Sequence, residues 1–109
     1  MSSGLVIKEQ ETENNVEVAI SGEVDIYTCQ DLKSTLYQYV DKYGKSLILD
    51  CARLNYIDST GLGVFVAVLK KVKQIDKDIT IHNLRDSIVK LFSITKLDTL
   101  FNIKQHADA

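Results

Sequence analysis

The chain predicts an α/β fold: one mixed β-sheet, opened by an antiparallel hairpin, with α-helices packed on it. Three observations lead there. Short apolar or alternating runs recur at residues 5–7, 16–20, 46–50 and 79–81, the pattern of β-strands. Between the later runs lie longer segments whose apolar residues repeat at helical spacing. The resulting order is strand, strand, helix, strand, helix, strand, helix. Two helical crossovers between successive strands require parallel neighbours joined by right-handed connections.

Taken in order, Leu5-Val6-Ile7 and Val16-Glu17-Val18-Ala19-Ile20 are strands, and Glu11-Thr12-Glu13-Asn14-Asn15 is the hairpin turn. Ser21-Gly22 ends the second strand and Glu23-Val24-Asp25 forms a loop. Thr28 begins a helix and caps its first turn, with Asp31 in the reciprocal position of a capping box. Leu32, Leu36, Tyr39, Val40 and Tyr43 continue the helical spacing, and Gly44 stops it. Tyr37, Tyr39 and Tyr43 are packing and snorkelling residues. Ser46-Leu47-Ile48-Leu49-Asp50 is continuously apolar before its final acid, as in a central strand covered on both faces.

A second helix spans about Ser59 to Ile75. Leu62, Phe65, Leu69 and Val72 make one face, and Val64, Val66 and Val68 widen it beyond a simple stripe. Lys70, Lys71 and Lys73 place cations at its C-terminal end, where the helix dipole favours them. Ile79-Thr80-Ile81 is the next strand, Ile88, Leu91 and Phe92 lie on a third helix, and residues 97–103 form a short helix and an edge segment.

At 109 residues, with 45% hydrophobic and 26% charged residues, the chain has the size of one globular domain spanning residues 1–109. Its net charge of −2, with lysines spread among acids, offers no basic stripe for direct nucleic-acid binding. The longest apolar block, residues 62–69, is far short of a membrane span, and Met1-Ser2-Ser3-Gly4 resembles no signal peptide. Cys29 and Cys51 lack metal-ligand spacing and suit a reducing compartment. The expectation is a cytoplasmic protein.

The segment Tyr56-Ile57-Asp58-Ser59-Thr60-Gly61-Leu62-Gly63-Val64-Phe65-Val66 carries the chemistry. It puts a hydroxyl pair between an acid and a glycine at a helix N-terminus, where unpaired N–H groups and the macrodipole favour negative charge. Catalysis by Ser59 would need a base and an orienting group. The only histidines are His82 and His106, and Ile57 stands where a Gly-x-Ser-x-Gly elbow would begin. Gly61 and Gly63 lack the Lys-Ser/Thr ending of a P-loop. Ser59 therefore reads as an N-cap or as a modifiable hydroxyl within a docking surface, with Val64, Phe65 and Val66 exceeding what one buried face requires. Asp25 and Asp58 both follow strands and belong to the same end of the sheet.

Gly22-Glu23-Val24-Asp25, the run from Tyr56 to Val66, and Lys90-Leu91-Phe92-Ser93-Ile94-Thr95-Lys96-Leu97 resemble, in order and spacing, the three signature segments of STAS domains. More narrowly, they are similar to the stand-alone bacterial anti-sigma factor antagonists of the general-stress and sporulation type. The resemblance implies partner switching. The unphosphorylated antagonist binds an anti-sigma factor that is also a serine kinase, and the sigma factor is released. Phosphorylation ends the binding and a serine phosphatase restores it.

Carried onto this chain, the acceptor is Ser59, with Thr60 the less favoured neighbour. Asp25 and Asp58 shape the site, while Gly61, Leu62 and Gly63 contact the kinase. No cofactor is implied, the ATP being the kinase's, and the chain is a monomer or weak dimer. The alternatives in other classes are a STAS scaffold subunit of a sensory complex, a transporter-associated STAS protein, and a small hydrolase using Ser59. One position departs from the family: Lys96 stands where glycine is usual. In a left-handed conformation this costs about 1 kcal/mol.

Overall fold

The structure, a computed structural model, describes residues 4–105. The hairpin strands are β1 (Leu5–Glu11) and β2 (Asn15–Val24). Then follow α1 (Cys29–Tyr43), β3 (Ser46–Ile57), α2 (Ser59–Lys73), β4 (Ile79–His82), α3 (Asp86–Ile94), a 3₁₀ turn (Leu97–Thr99) and β5 (Asn102–Lys104). The sheet order is β1-β2-β3-β4-β5, antiparallel at the hairpin and parallel thereafter. The expected hairpin, mixed sheet and helical crossovers are all present. His106 lies outside the described residues.

Each parallel strand is added on the same side of its predecessor, so right-handed crossovers carry the helices to one face of the sheet. Burial alternates accordingly. Val16, Val18, Ile20, Leu47, Leu49, Cys51, Ile79 and Ile81 are fully buried beneath the helices. On the opposite face Glu17 and Ala19 are exposed, and Ile48, Asp50, Thr80 and His82 are half-buried. β3 is thus covered on one face only, which corrects the expectation of a strand buried on both.

Three strands run well past their expected ends, β1 continuing from Ile7 to Glu11. β2 continues through Ser21-Gly22 to Val24, and β3 continues from Asp50 to Ile57, the two pairing through register shifts between Ala19 and Ser21 and between Gly22 and Glu23. Gly22 is a place of close approach inside a strand. Its φ is +103°, a β-carbon there would lie 1.7 Å from the Gly4 carbonyl oxygen, and that oxygen accepts a 2.7 Å bond from the Glu23 N–H. Only glycine fits.

α1 buries Leu32, Leu36 and Val40 and stops at left-handed Gly44, whose N–H donates to the Val40 carbonyl. Thr28 does precede it, but its side chain makes no cap bond to the helix and Asp31 is exposed. α2 buries the predicted face, ends at Lys73, and leaves Ile75 exposed. Phe65 sits at the centre of the core, edge-on to Phe92 at 6.0 Å and Phe101 at 6.4 Å between ring centroids, a favoured aromatic geometry. Lys96 is left-handed, with φ 62°, the conformation in which lysine carries a cost relative to glycine.

Candidate functional site at the start of α2

β2 and β3 are adjacent parallel strands that end in register, Val24 opposite Ile57. The residues that follow them, Asp25 and Asp58, are therefore brought to the same end of the sheet. A 3.4 Å bond from the Asp58 N–H to the Val24 carbonyl ties the two loops together. Sites in parallel sheets form outside such carboxyl ends, where the chain leaves a strand.

Asp58 is the N-cap of α2. Its backbone is extended, with φ −115° and ψ −170°, and its Oδ1 accepts from the N–H groups of Thr60 at 3.0 Å and Gly61 at 3.2 Å. The Thr60 hydroxyl donates to the same oxygen. The cap is thus the acid and not Ser59, which is the exposed first residue of the helix. This corrects the N-cap reading of Ser59: the carboxylate takes the second and third amides of the helix, the usual targets of a capping oxygen. The Thr60 hydroxyl bond, with the two amides adding to it, holds the Asp58 carboxyl below the ordinary aspartate value, against partial desolvation.

The Asp25 loop is a compact turn. Asp25 Oδ1 accepts from the N–H groups of Tyr27 at 2.9 Å and Thr28 at 3.2 Å. The Thr28 hydroxyl turns back, donating to the Glu23 carbonyl at 2.8 Å and accepting from the Asp25 N–H at 3.0 Å. That is why Thr28 does not cap α1: its hydroxyl is committed to closing the loop, with Thr28 itself buried.

The glycines divide. A β-carbon at Gly61 would lie 2.5 Å from Ile57 Cγ1 and 2.8 Å from Val24 Cγ1, whereas one at Gly63 would meet nothing within 4 Å. Gly61 lets the helix start press onto the strand ends, while Gly63 is open to the surface. Leu62 is buried, so its side chain supports the site from the core side and is not presented for contact. Val64 and Phe65 are buried too, and Val66 is half-buried. The apolar docking surface expected there is core, required because Phe65 must reach Phe92 and Phe101. The exposed apolar residues that adjoin the two acids in the chain are others: Ile26 at 66%, Tyr27 at 88% and Tyr56 at 49% exposure. Sequence reading missed Ile26 and Tyr27 because an apolar residue in a short loop has no periodicity to flag it.

Hydrolytic chemistry lacks its parts among the described residues. His82 lies in register with Asp50 on the open sheet face. Asp50 precedes Ile57 by seven residues along β3, roughly 20 Å of extended chain. What the site offers is an exposed primary alcohol at the helix start, next in the chain to the capping carboxylate of Asp58.

A five-stranded sheet with helices on one face, and an Asp-Ser-Thr-Gly helix start at the carboxyl ends of its long strands, defines the class. The STAS domain family matches residues 7–109, and the chain belongs to that family. Its relatives are more particular. It is 36% identical over 104 residues to the anti-sigma-B factor antagonist of Listeria monocytogenes, covering 95% of this chain and 90% of that one. It is 33% identical over 99 residues to the anti-sigma-B factor antagonist of Bacillus subtilis, covering 91% and 90%. Among solved structures, the anti-sigma factor antagonist SpoIIAA in its unphosphorylated form superposes with a TM-score of 0.80 at 15% identity, covering 94% and 90%. An anti-sigma factor antagonist from Mycobacterium paratuberculosis gives 0.78 at 20% identity, covering 91% and 84%.

Proposed function

We propose that this chain is an anti-sigma factor antagonist whose grip on its anti-sigma factor is switched by phosphorylation of Ser59. One observation carries the reading. Asp58 supplies the helix cap, so Ser59 is left as an exposed alcohol that the fold does not need for capping. The relatives' names support the antagonist role. SpoIIAA of Bacillus, which has also been solved in a phosphorylated form, keeps the same fold there, with a TM-score of 0.73 to this chain at 15% identity.

In the unphosphorylated state, the Asp25 loop, Ile26, Tyr27, Tyr56 and the start of α2 form the surface that binds the anti-sigma factor, and the sigma factor is released. The anti-sigma factor, acting as a serine kinase, then transfers the γ-phosphoryl of its own ATP. Ser59 Oγ bonds to phosphorus, the bond to ADP breaks, and the hydroxyl proton passes to a base on the kinase. About two negative charges arrive beside Asp58, which is itself held ionised. The amides of Thr60 and Gly61 are already bonded to Asp58. The phosphate therefore adds repulsion and bulk at the surface without any need to unfold it. A serine phosphatase hydrolyses the ester, water taking the phosphoryl group as inorganic phosphate and the Ser59 hydroxyl being restored.

The test is incubation of the chain with its anti-sigma factor and Mg-ATP, read by intact mass. Wild type gains one phosphate and Ser59→Ala gains none. Equal labelling of both would sink the assignment.

A further inference from the structure

A groove lies on the surface between α1 and α2, with Thr60, the chain neighbour of Ser59, in its lining. It consists of two depressions that both have Gly63 in their lining. The nearer, about 470 Å³, is lined by Ile26, Cys29, Lys33, Thr60 and Gly63 among others. The farther, about 350 Å³, is lined by Tyr37, Gly63, Ala67, Lys70 and Lys71 among others.

The groove is cationic. Lys33 and Lys71 lie over the Tyr37 ring, 5.5 and 4.9 Å from its centroid, and Lys70 is exposed. Lys71 also reaches Asp41 at 2.9 Å, which offsets one positive charge and leaves the other two. The mouth is lined by Ile26 and Thr60, which closely follow Asp25 and Asp58 in the chain. Gly63 keeps the passage open, and the fold does not require glycine there, because a β-carbon would touch nothing within 4 Å. Glycine within a helix costs roughly 1 kcal/mol against alanine, so this position gives up stability to leave the groove unfilled.

We infer that the groove is a second docking element, which receives an acidic segment of the same anti-sigma factor and is closed to it when Ser59 is phosphorylated. The occupant follows from charge complementarity with Lys33, Lys70 and Lys71. The coupling follows from position, since Thr60 and Gly63 line the mouth beside Ser59 and a phosphate there confronts an incoming carboxylate. The inference rests on the antagonist reading and extends it.

It is tested by calorimetric titration of the purified anti-sigma factor of the same cell, without nucleotide, into wild type, Lys33→Glu/Lys70→Glu, Lys33→Arg/Lys70→Arg and Gly63→Gln. The reversed pair weakens binding by about tenfold or more and flattens its dependence on salt, which screens charges beyond about 8 Å at physiological ionic strength. The arginine pair binds as wild type does, and Gly63→Gln, which fills the groove, also binds more weakly. Thermal melts confirm that each variant is folded. A reversed pair binding within twofold of wild type overturns the groove assignment. Failure of wild type itself to bind overturns the antagonist reading instead.

Discussion

Gly61 lies against Ile57 so closely that a β-carbon on the glycine would come within 2.5 Å of the isoleucine Cγ1. The contact seats the N-terminus of α2 on the end of β3 and so sets where Ser59 is presented. Two residues on, Gly63 has open space in place of a neighbour.

Alanine at these two positions therefore has opposite effects. Gly61→Ala forces Ile57 and Val24 aside and destabilises by about 1–3 kcal/mol, the range for overpacking. Gly63→Ala stabilises by up to about 1 kcal/mol through helix propensity. Urea denaturation of the two variants decides it, and equal shifts would show that the helix start is not seated as described.

The Asp58 cap gives a pH signature. Its folded-state value is lowered, first by the Thr60 hydroxyl, so its contribution is complete above the unfolded aspartate value and is lost as pH falls through the folded one. Thr60→Val moves the Asp58 titration up toward the ordinary value, and the loss then begins at higher pH. Thr60→Ser preserves the wild-type titration. Carbon-detected NMR of the Asp58 carboxyl measures both, and an unmoved midpoint in Thr60→Val contradicts the bond.

Ile26 and Tyr27 are exposed at 66% and 88% and contribute little to folding. Ile26→Ala/Tyr27→Ala changes stability by less than about 0.5 kcal/mol, as surface changes do. It weakens binding of the anti-sigma factor by roughly 1 kcal/mol or more, about fivefold, as a truncated interface anchor does. Wild-type affinity in this variant would remove the apolar rim from the interface.

The proposed switch requires that phosphorylation of Ser59 alter affinity and leave the fold in place. In amide NMR spectra of the phosphorylated chain, shifts concentrate in the Asp25 loop and the first turns of α2. Loss of helical signals along the whole of α2 would show that the phosphate acts by unfolding.

Lys96 occupies a left-handed conformation, φ 62°, which costs an L-residue about 1–2 kcal/mol. Glycine there relieves that strain, though it gives the unfolded chain more freedom. Lys96→Gly raises the unfolding free energy by up to about 1 kcal/mol, measured by denaturant titration, and binding is unchanged because the residue lies beyond α3, at the opposite end of the sheet from Ser59.

The periodic elements were legible. Alternation marked β2, and helical spacing with Gly44 as a stop marked α1. The signature around Ser59 announced the family. The places that misled are those where a local signal served a tertiary purpose. Gly22 looked like the end of a strand because glycine punctuates chains, yet it remains in β2 so that Gly4 can pass close by. Thr28 looked like a cap, but its hydroxyl closes the Asp25 loop. Val64 and Phe65 looked surplus on a helix read alone. Both are buried, Phe65 because α3 and the segment after it bring Phe92 and Phe101 against it.

By itself the sequence determined the order of elements, the parallel crossovers and the acidic, hydroxyl-bearing helix start, because those depend on periodicity and near-neighbour chemistry. Only the tertiary structure decided that Asp58 and not Ser59 holds the cap, that Ile26 and Tyr27 stand exposed in the Asp25 loop, and that a lysine-lined groove lies between α1 and α2. These are relations between segments distant in the chain or between competing donors and acceptors, and they are settled by strand register and packing, which no local pattern encodes.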